Sequence, residues 1–154
     1  MKLINEQFKI DDKSILNYYE IKSNKPKLLL LHAQGTNSLS FMSVINKLSK
    51  YFHIYLVDYY GHGKSSFNRE KYNLVDIGND IIKFIEEVIK DNVSILGHSS
   101  GGLIASYIAS NCKLCSGLIL EDPPFFASIG DRRFNTYNYV DLSTVCHKFI
   151  SQNE

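Results

Sequence analysis

The chain has 154 residues, enough for one domain with a real core, and its 44% hydrophobic and 21% charged residues are those of an ordinary soluble globular protein. A net charge of +1 gives no pull toward nucleic acid or an anionic membrane, and the longest aliphatic run, Leu28 to Leu31, is far too short to span a bilayer. The first ten residues carry Lys2, Glu6 and Lys9 where a signal peptide needs an apolar core, so the expectation is a cytoplasmic protein.

Two short runs, Glu6 to Ile10 and Ile15 to Ile21, read as strands joined by a hairpin turn at Asp11-Asp12-Lys13. Lys27 to Leu31, after Pro26, is a continuous apolar run expected of a strand buried on both faces. Phe41 to Lys50 has helical spacing at Phe41, Val44, Ile45 and Leu48, and Ile54 to Val57 is another buried strand. Asn73 to Asp91 is the clearest helix, with Leu74, Ile77, Ile81, Phe84, Ile85 and Val88 on one stripe. Val93 to Leu96 reads as a strand, Ser100 to Asn111 as a helix whose small residues permit close packing, and Gly117 to Leu120 as a last buried strand. A hairpin followed by alternating strands and helices predicts an α/β fold: a mostly parallel sheet with helices on both faces and an antiparallel N-terminal hairpin. After Leu120 the pattern changes to an aromatic-rich segment, with a short helix from Asp141 to Ser151. The expected division is a core over residues 1–122 and the start of a cap over 123–154.

Cys112, Cys115 and Cys146 are too few and too odd in number for a disulfide framework. Cys112 and Cys115 have C-x-x-C spacing, but a metal site would want a second pair and a redox site would want the pair at a helix start. Reduced cysteines near a packed loop are expected, with no metal and no cofactor.

The chemistry concentrates in Gly97-His98-Ser99-Ser100-Gly101, a G-x-S-x-G pattern set between the strand V-S-I-L and the helix G-L-I-A-S-Y-I-A. Such a turn must be tight enough to push its central side chain out of the sheet, and the flanking glycines relieve the clash a Cβ would cause. Ser99 is therefore the expected nucleophile. An acyl-transfer site also needs N–H groups aimed at a developing oxyanion. One is expected from Ser100, at the start of its helix, and the other from Gln34 in the loop His32-Ala33-Gln34-Gly35-Thr36 after the Leu28 to Leu31 strand. Asp58-Tyr59-Tyr60-Gly61-His62-Gly63-Lys64-Ser65 forms a third loop. It lacks the Walker pattern and the full G-x-G-x-x-G, so it reads as a structural turn beside the site, with His62 a loop histidine.

These pieces, L-L-L-L-H-A-Q-G-T, V-D-Y-Y-G-H-G-K-S and L-G-H-S-S-G-G, resemble the α/β-hydrolase superfamily in order and spacing, over roughly residues 1–122. The family usually has Gly where Ala33 stands, often Arg at Tyr60 and Met at Ser100. The resemblance implies a serine hydrolase acting on a carboxylic ester or related small acyl substrate without a cofactor, with Ser99 as nucleophile and the N–H groups of Gln34 and Ser100 as oxyanion hole. His32, Phe125 and Phe126 are the expected substrate-side residues, Phe134, Tyr137 and Tyr139 joining the two phenylalanines in an apolar lining or in ordinary packing of the cap.

In this family the acid follows the seventh strand and the histidine the eighth, and the chain reads as stopping after the sixth. Asp122, after the last strand, is the candidate acid; the alternative is a polar residue opening the Pro123-Pro124 turn. His147 and His98 are poor candidates for the base, and His53 opens a strand. The expectation is an amino-terminal piece, inactive alone, whose exposed last strand promotes self-association. The competing reading is a non-catalytic member that binds a small molecule or a partner on the same scaffold.

Overall fold

The computed structural model describes residues 2–70 and 73–125. The chain divides into two compact units, Met1–Pro123 and Pro124–Glu154, and every described element belongs to the first. The elements are β1 (Ile4–Lys9), β2 (Ile15–Ile21), β3 (Lys27–Leu31), α1 (Met42–Leu48), β4 (His53–Asp58), α2 (Leu74–Phe84), β5 (Val93–His98), α3 (Ser100–Asn111) and β6 (Cys115–Glu121). The segment expected as a helix from Asp141 to Ser151 lies outside the described residues.

The six strands form one sheet in the order β1-β2-β4-β3-β5-β6. β1 and β2 form the antiparallel hairpin, β2 pairs antiparallel with β4, and β4, β3, β5 and β6 run parallel. The alternation of side chains along β3 shows why this strand is apolar from Leu28 to Leu31. Leu29 and Leu31 enter one core with Val57, Ile81, Phe84, Ile95, Ile104 and Ile108. Leu28 and Leu30 enter the opposite core with Phe41, Ile45, Ile54 and Leu56. Helices α2 and α3 thus cover one face and α1 the other.

Element ends depart from the sequence expectations where side chains intervene. The segment expected as a helix from Phe41 begins as a 3₁₀ turn, Ser38–Phe41, because the Asn37 carboxamide accepts from Leu39 N at 3.0 Å, and it reaches only to Leu48. Helix α2 starts at a capping box, with Asn73 accepting from Val75 N and Asp76 N and the Asp76 carboxylate accepting from Asn73 N. It continues as a π turn, Ile85–Ile89, which stops at Lys90 in left-handed backbone, φ 54°. β6 begins two residues earlier than the apolar run suggests. Cys115 N donates to Cys112 O at 3.2 Å, which turns the chain straight from α3 into the sheet. Cys112 is buried and Cys115 half-buried, both as free thiols. No helix among the described residues is long and apolar enough to cross a membrane.

Candidate active site

Strand order reverses between β3 and β5: the chain leaves β3 for β4 on one side and later enters β5 on the other. Loops after β3 and β5 therefore diverge and leave a crevice at the carboxyl ends of the strands, where ligands of such sheets bind. The motifs singled out above all sit at this end.

β5 runs directly into α3 with Ser99 as the single joint. Its backbone, φ 53° and ψ −120°, lies outside the regions favoured for residues with a Cβ. Such a conformation costs on the order of 1–3 kcal/mol and persists only when the surroundings impose it. Here Ser99 N donates to Glu121 O at 2.8 Å, and Gly102 N donates to Ser99 O at 2.9 Å, so both peptide groups of the joint are fixed. Gly97 and Gly101 make the turn feasible. A Cβ on Gly97 would strike the Gly101 carbonyl, and one on Gly101 would strike the carbonyl oxygens of Leu31 and His32. Ser99 is half-buried.

The loop after β3 is a tight turn. Thr36 N donates to Ala33 O at 3.3 Å, and Gly35, at φ 75°, takes the position that requires positive φ in a type II turn. The Ala33 carbonyl also accepts from Thr36 Oγ1 and from His32 Nδ1, each at 2.8 Å. Gln34 is exposed at the turn's tip, and its N–H donates to Ser100 Oγ at 2.6 Å. Ser100 is the first residue of α3, and the leading N–H groups of a helix have no partner within it.

His32 does not face a ligand. Its ring has no exposed surface and stacks on Tyr59, centroids 4.0 Å apart and 8° from parallel. It supports the loop from beneath. With Nδ1–H given to Ala33 O, Nε2 is left buried and unpartnered. Burial, opposed by the Ala33 hydrogen bond and aided by nearby His62, pushes its pKa down to about 4, so the ring is neutral.

The third loop carries more of the architecture than its motif discloses. Asp58, at the end of β4 and 2% exposed, accepts from Ser38 N at 2.8 Å, Lys64 N at 3.0 Å and Asn17 Nδ2 at 3.0 Å. One carboxylate thereby ties the loops after β3 and β4 to β2. His62 Nδ1 lies 3.2 Å from Tyr60 O and Nε2 lies 3.3 Å from Gly35 N, so the ring donates to the first and accepts from the second. His62 thus anchors the turn that carries Gln34. Tyr59, packed between His32 and His62, places its hydroxyl 3.4 Å from Ser100 Oγ. Neither role was read from the sequence; the one available signal was that this loop follows the strand next to β3.

The structure therefore joins Ser99, Ser100 and Gln34, with His32 underneath. Asp122 is exposed, in left-handed backbone at φ 50°, one residue beyond the carbonyl that receives Ser99 N–H. Phe125 is exposed and falls in the second compact unit, and Phe126 lies outside the described residues. A shallow hollow lined by Asp11, Asp12, Lys13, Ser14, Asn68 and Arg69 sits at the β1–β2 turn, separated from β5 by β4 and β3. Arg69 is engaged there with Asp80 at 2.7 Å.

A strained serine between a parallel strand and a helix, beside the carboxyl end of the central strand, defines a class of proteins. The family signature described as the alpha/beta hydrolase fold matches residues 26–143, more than half of the sequence, and the chain belongs to that family. It is 32% identical over 123 residues to a Haemophilus influenzae protein named for an inferred esterase/lipase activity, covering 77% of this chain and 42% of that protein. It is 33% identical over 108 residues to the pimeloyl-[acyl-carrier protein] methyl ester esterase of Vibrio campbellii, covering 67% of this chain and 39% of that enzyme. A hydrolase from Pseudomonas aeruginosa PA01 shares the fold with a TM-score of 0.75 at 24% identity, over 82% of this chain and 48% of that one. The chain thus spans between about two fifths and half the length of these relatives.

Proposed function

We propose that this chain supplies the nucleophile and oxyanion hole of a serine hydrolase acting on a carboxylic ester or related small acyl substrate. The observation that carries this reading is the backbone of Ser99 at φ 53°, ψ −120° between β5 and α3. A scaffold with no chemistry to perform has no use for a serine under that strain, since Gly at the same place would relieve it. Ser99 Oγ attacks the substrate carbonyl, and the N–H groups of Gln34 and Ser100 hold the oxyanion. The hydroxyl proton passes to a histidine that the described residues do not supply, and water then releases the acyl group. Asp122 is our candidate for the acid that orients this histidine, and the aromatic segment from Phe125 onward for the substrate lining and the start of a cap.

The comparison with ester hydrolases supports the substrate class. A second reading, a scaffold that binds a small molecule or partner without catalysis, is favoured by one observation: among the described residues no histidine hydrogen-bonds to Ser99 Oγ. A fluorophosphonate probe separates the two. In labelling, Ser99 Oγ forms a bond to phosphorus, the P–F bond breaks, and fluoride and the serine proton leave. We expect the complete natural polypeptide to be labelled at Ser99 and Ser99→Ala to be inert; an unlabelled wild type sinks the hydrolase reading.

A further inference from the structure

The Ser100 side chain stands outside the roles assigned so far, which use only its N–H. Its hydroxyl oxygen lies 2.6 Å from Gln34 N and accepts that N–H. This is close to the roughly 2.7–3.1 Å that an oxyanion keeps from its donors. The same oxygen is 3.4 Å from the Tyr59 hydroxyl, whose ring is stacked on the buried His32. The donor proposed for the oxyanion is thus already engaged, and by the residue adjacent to the nucleophile.

We infer that the Ser100 hydroxyl is an internal latch: it fills the oxyanion seat of the free protein, holds the Gln34 turn in register with the elbow, and is displaced when a substrate carbonyl enters. This inference rests on the hydrolase reading for its consequence but not for its geometry. Displacement needs only rotation about χ1, since a serine hydroxyl has other staggered positions and Tyr59 offers a neighbouring polar partner. A latch of this kind keeps the turn formed while unoccupied, and its cost is competition with the incoming carbonyl. Ser100 is therefore a positioning residue that tunes reactivity at Ser99. A side chain without a hydroxyl at this position leaves the Gln34 N–H open to water or substrate.

The test compares Ser100→Ala, which keeps the backbone N–H but lacks the latch, with Ser100→Thr, which retains a hydroxyl. The first readout is the amide proton shift of Gln34 by NMR. It should lie downfield in the wild type and in Ser100→Thr, and move upfield in Ser100→Ala. An unmoved Gln34 amide in Ser100→Ala overturns the inference whatever the activity. The second readout is the second-order rate of fluorophosphonate labelling at Ser99 in the complete natural polypeptide. Loss of one intramolecular hydrogen bond should raise it about two- to tenfold in Ser100→Ala and by less in Ser100→Thr, whose hydroxyl still competes for the Gln34 N–H. An equal or slower rate in Ser100→Ala overturns the latch as a competitor. If the wild type does not label at all, the hydrolase reading fails while the amide shift still decides the latch.

Discussion

Stability should fall in acid through a single buried ring. His32 has no exposed surface, and burial pushes its pKa down from 6.5 to about 4. In the unfolded chain the same imidazole regains water and titrates near about 6.5. Between these two values the unfolded state holds the proton and the folded state does not. Stability therefore rises with pH across that window and is lost as the pH falls from about 6.5 to about 4. At about 1.36 kcal/mol per pH unit, the loss comes to about 3 kcal/mol, a large share of a small domain's stability. Other groups titrate in the same range, so the comparison must be differential. His32→Asn keeps a donor toward Ala33 O and removes the titrating ring. The variant should be weaker at pH 7, having lost the stack on Tyr59, but its urea midpoint should fall less on acidification. Equilibrium urea unfolding of both proteins at pH 7 and pH 4 reads the difference. Parallel losses in the two proteins would show that His32 takes up its proton in the folded state as easily as in the unfolded one, and the account of a neutral buried support would be wrong.

Two further outcomes test the elbow and the sheet edge. Gly101→Ala places a methyl group against the carbonyl oxygens of Leu31 and His32, so it should destabilise by about 1–3 kcal/mol in thermal or urea unfolding. At an unobstructed helix position the same change stabilises by about 1 kcal/mol, so the sign alone refutes the close approach if it comes out favourable. Among the described residues β6 pairs only with β5, and its Leu118, Ile119 and Leu120 are exposed, Ile119 by 49%. This exposed edge should make the protein associate with concentration in sedimentation velocity, and Ile119→Lys should shift it toward monomer; a wild type monomeric at all concentrations would refute the open edge.

Much of this architecture was legible because period and burial agree. Leu28–Leu31 is apolar at every position because β3 lies at the centre of the sheet with a core on each side, and the bounds of Ile15–Ile21 and Ser100–Asn111 agree between sequence and structure. The elbow was legible for a different reason: two glycines spaced around a serine, between a strand and a helix, have few other uses. What escaped the sequence was polar and non-local. No local pattern says that His62 reaches across to the Gly35 N–H, 27 positions away, or that Asp58 gathers donors from Asn17, Ser38 and Lys64. Ser100 shows the same limit within the motif itself. Its N–H could be assigned from helix geometry, whereas its hydroxyl finds Gln34 only once β3 and β5 are neighbours. A residue that follows a strand, as His32 does, can turn either up at the sheet's end or down under the loop. The apolar bed that decided it, Tyr59, comes from another strand's end.

The direction of these contacts explains why the site can be strained and still hold its shape. Ser99 is held by Glu121 from β6, Gln34 by Ser100 from α3, the turn at Gly35 by His62 from the β4 loop, and the loops after β3 and β4 by Asp58. These restraints come from β6, from α3 and from the end of β4 with its loop, and of these α3 and β4 send side chains into the apolar cores beneath. Strain of about 1–3 kcal/mol at one residue is tolerable when relaxing it would require moving a strand end or a helix start that the cores have already placed. The converse also holds. A site built this way depends on the parallel register of β3 and β5, so substitutions that loosen Leu28–Leu31 against Val93–Leu96 should spoil the geometry at Ser99 without touching any polar group near it.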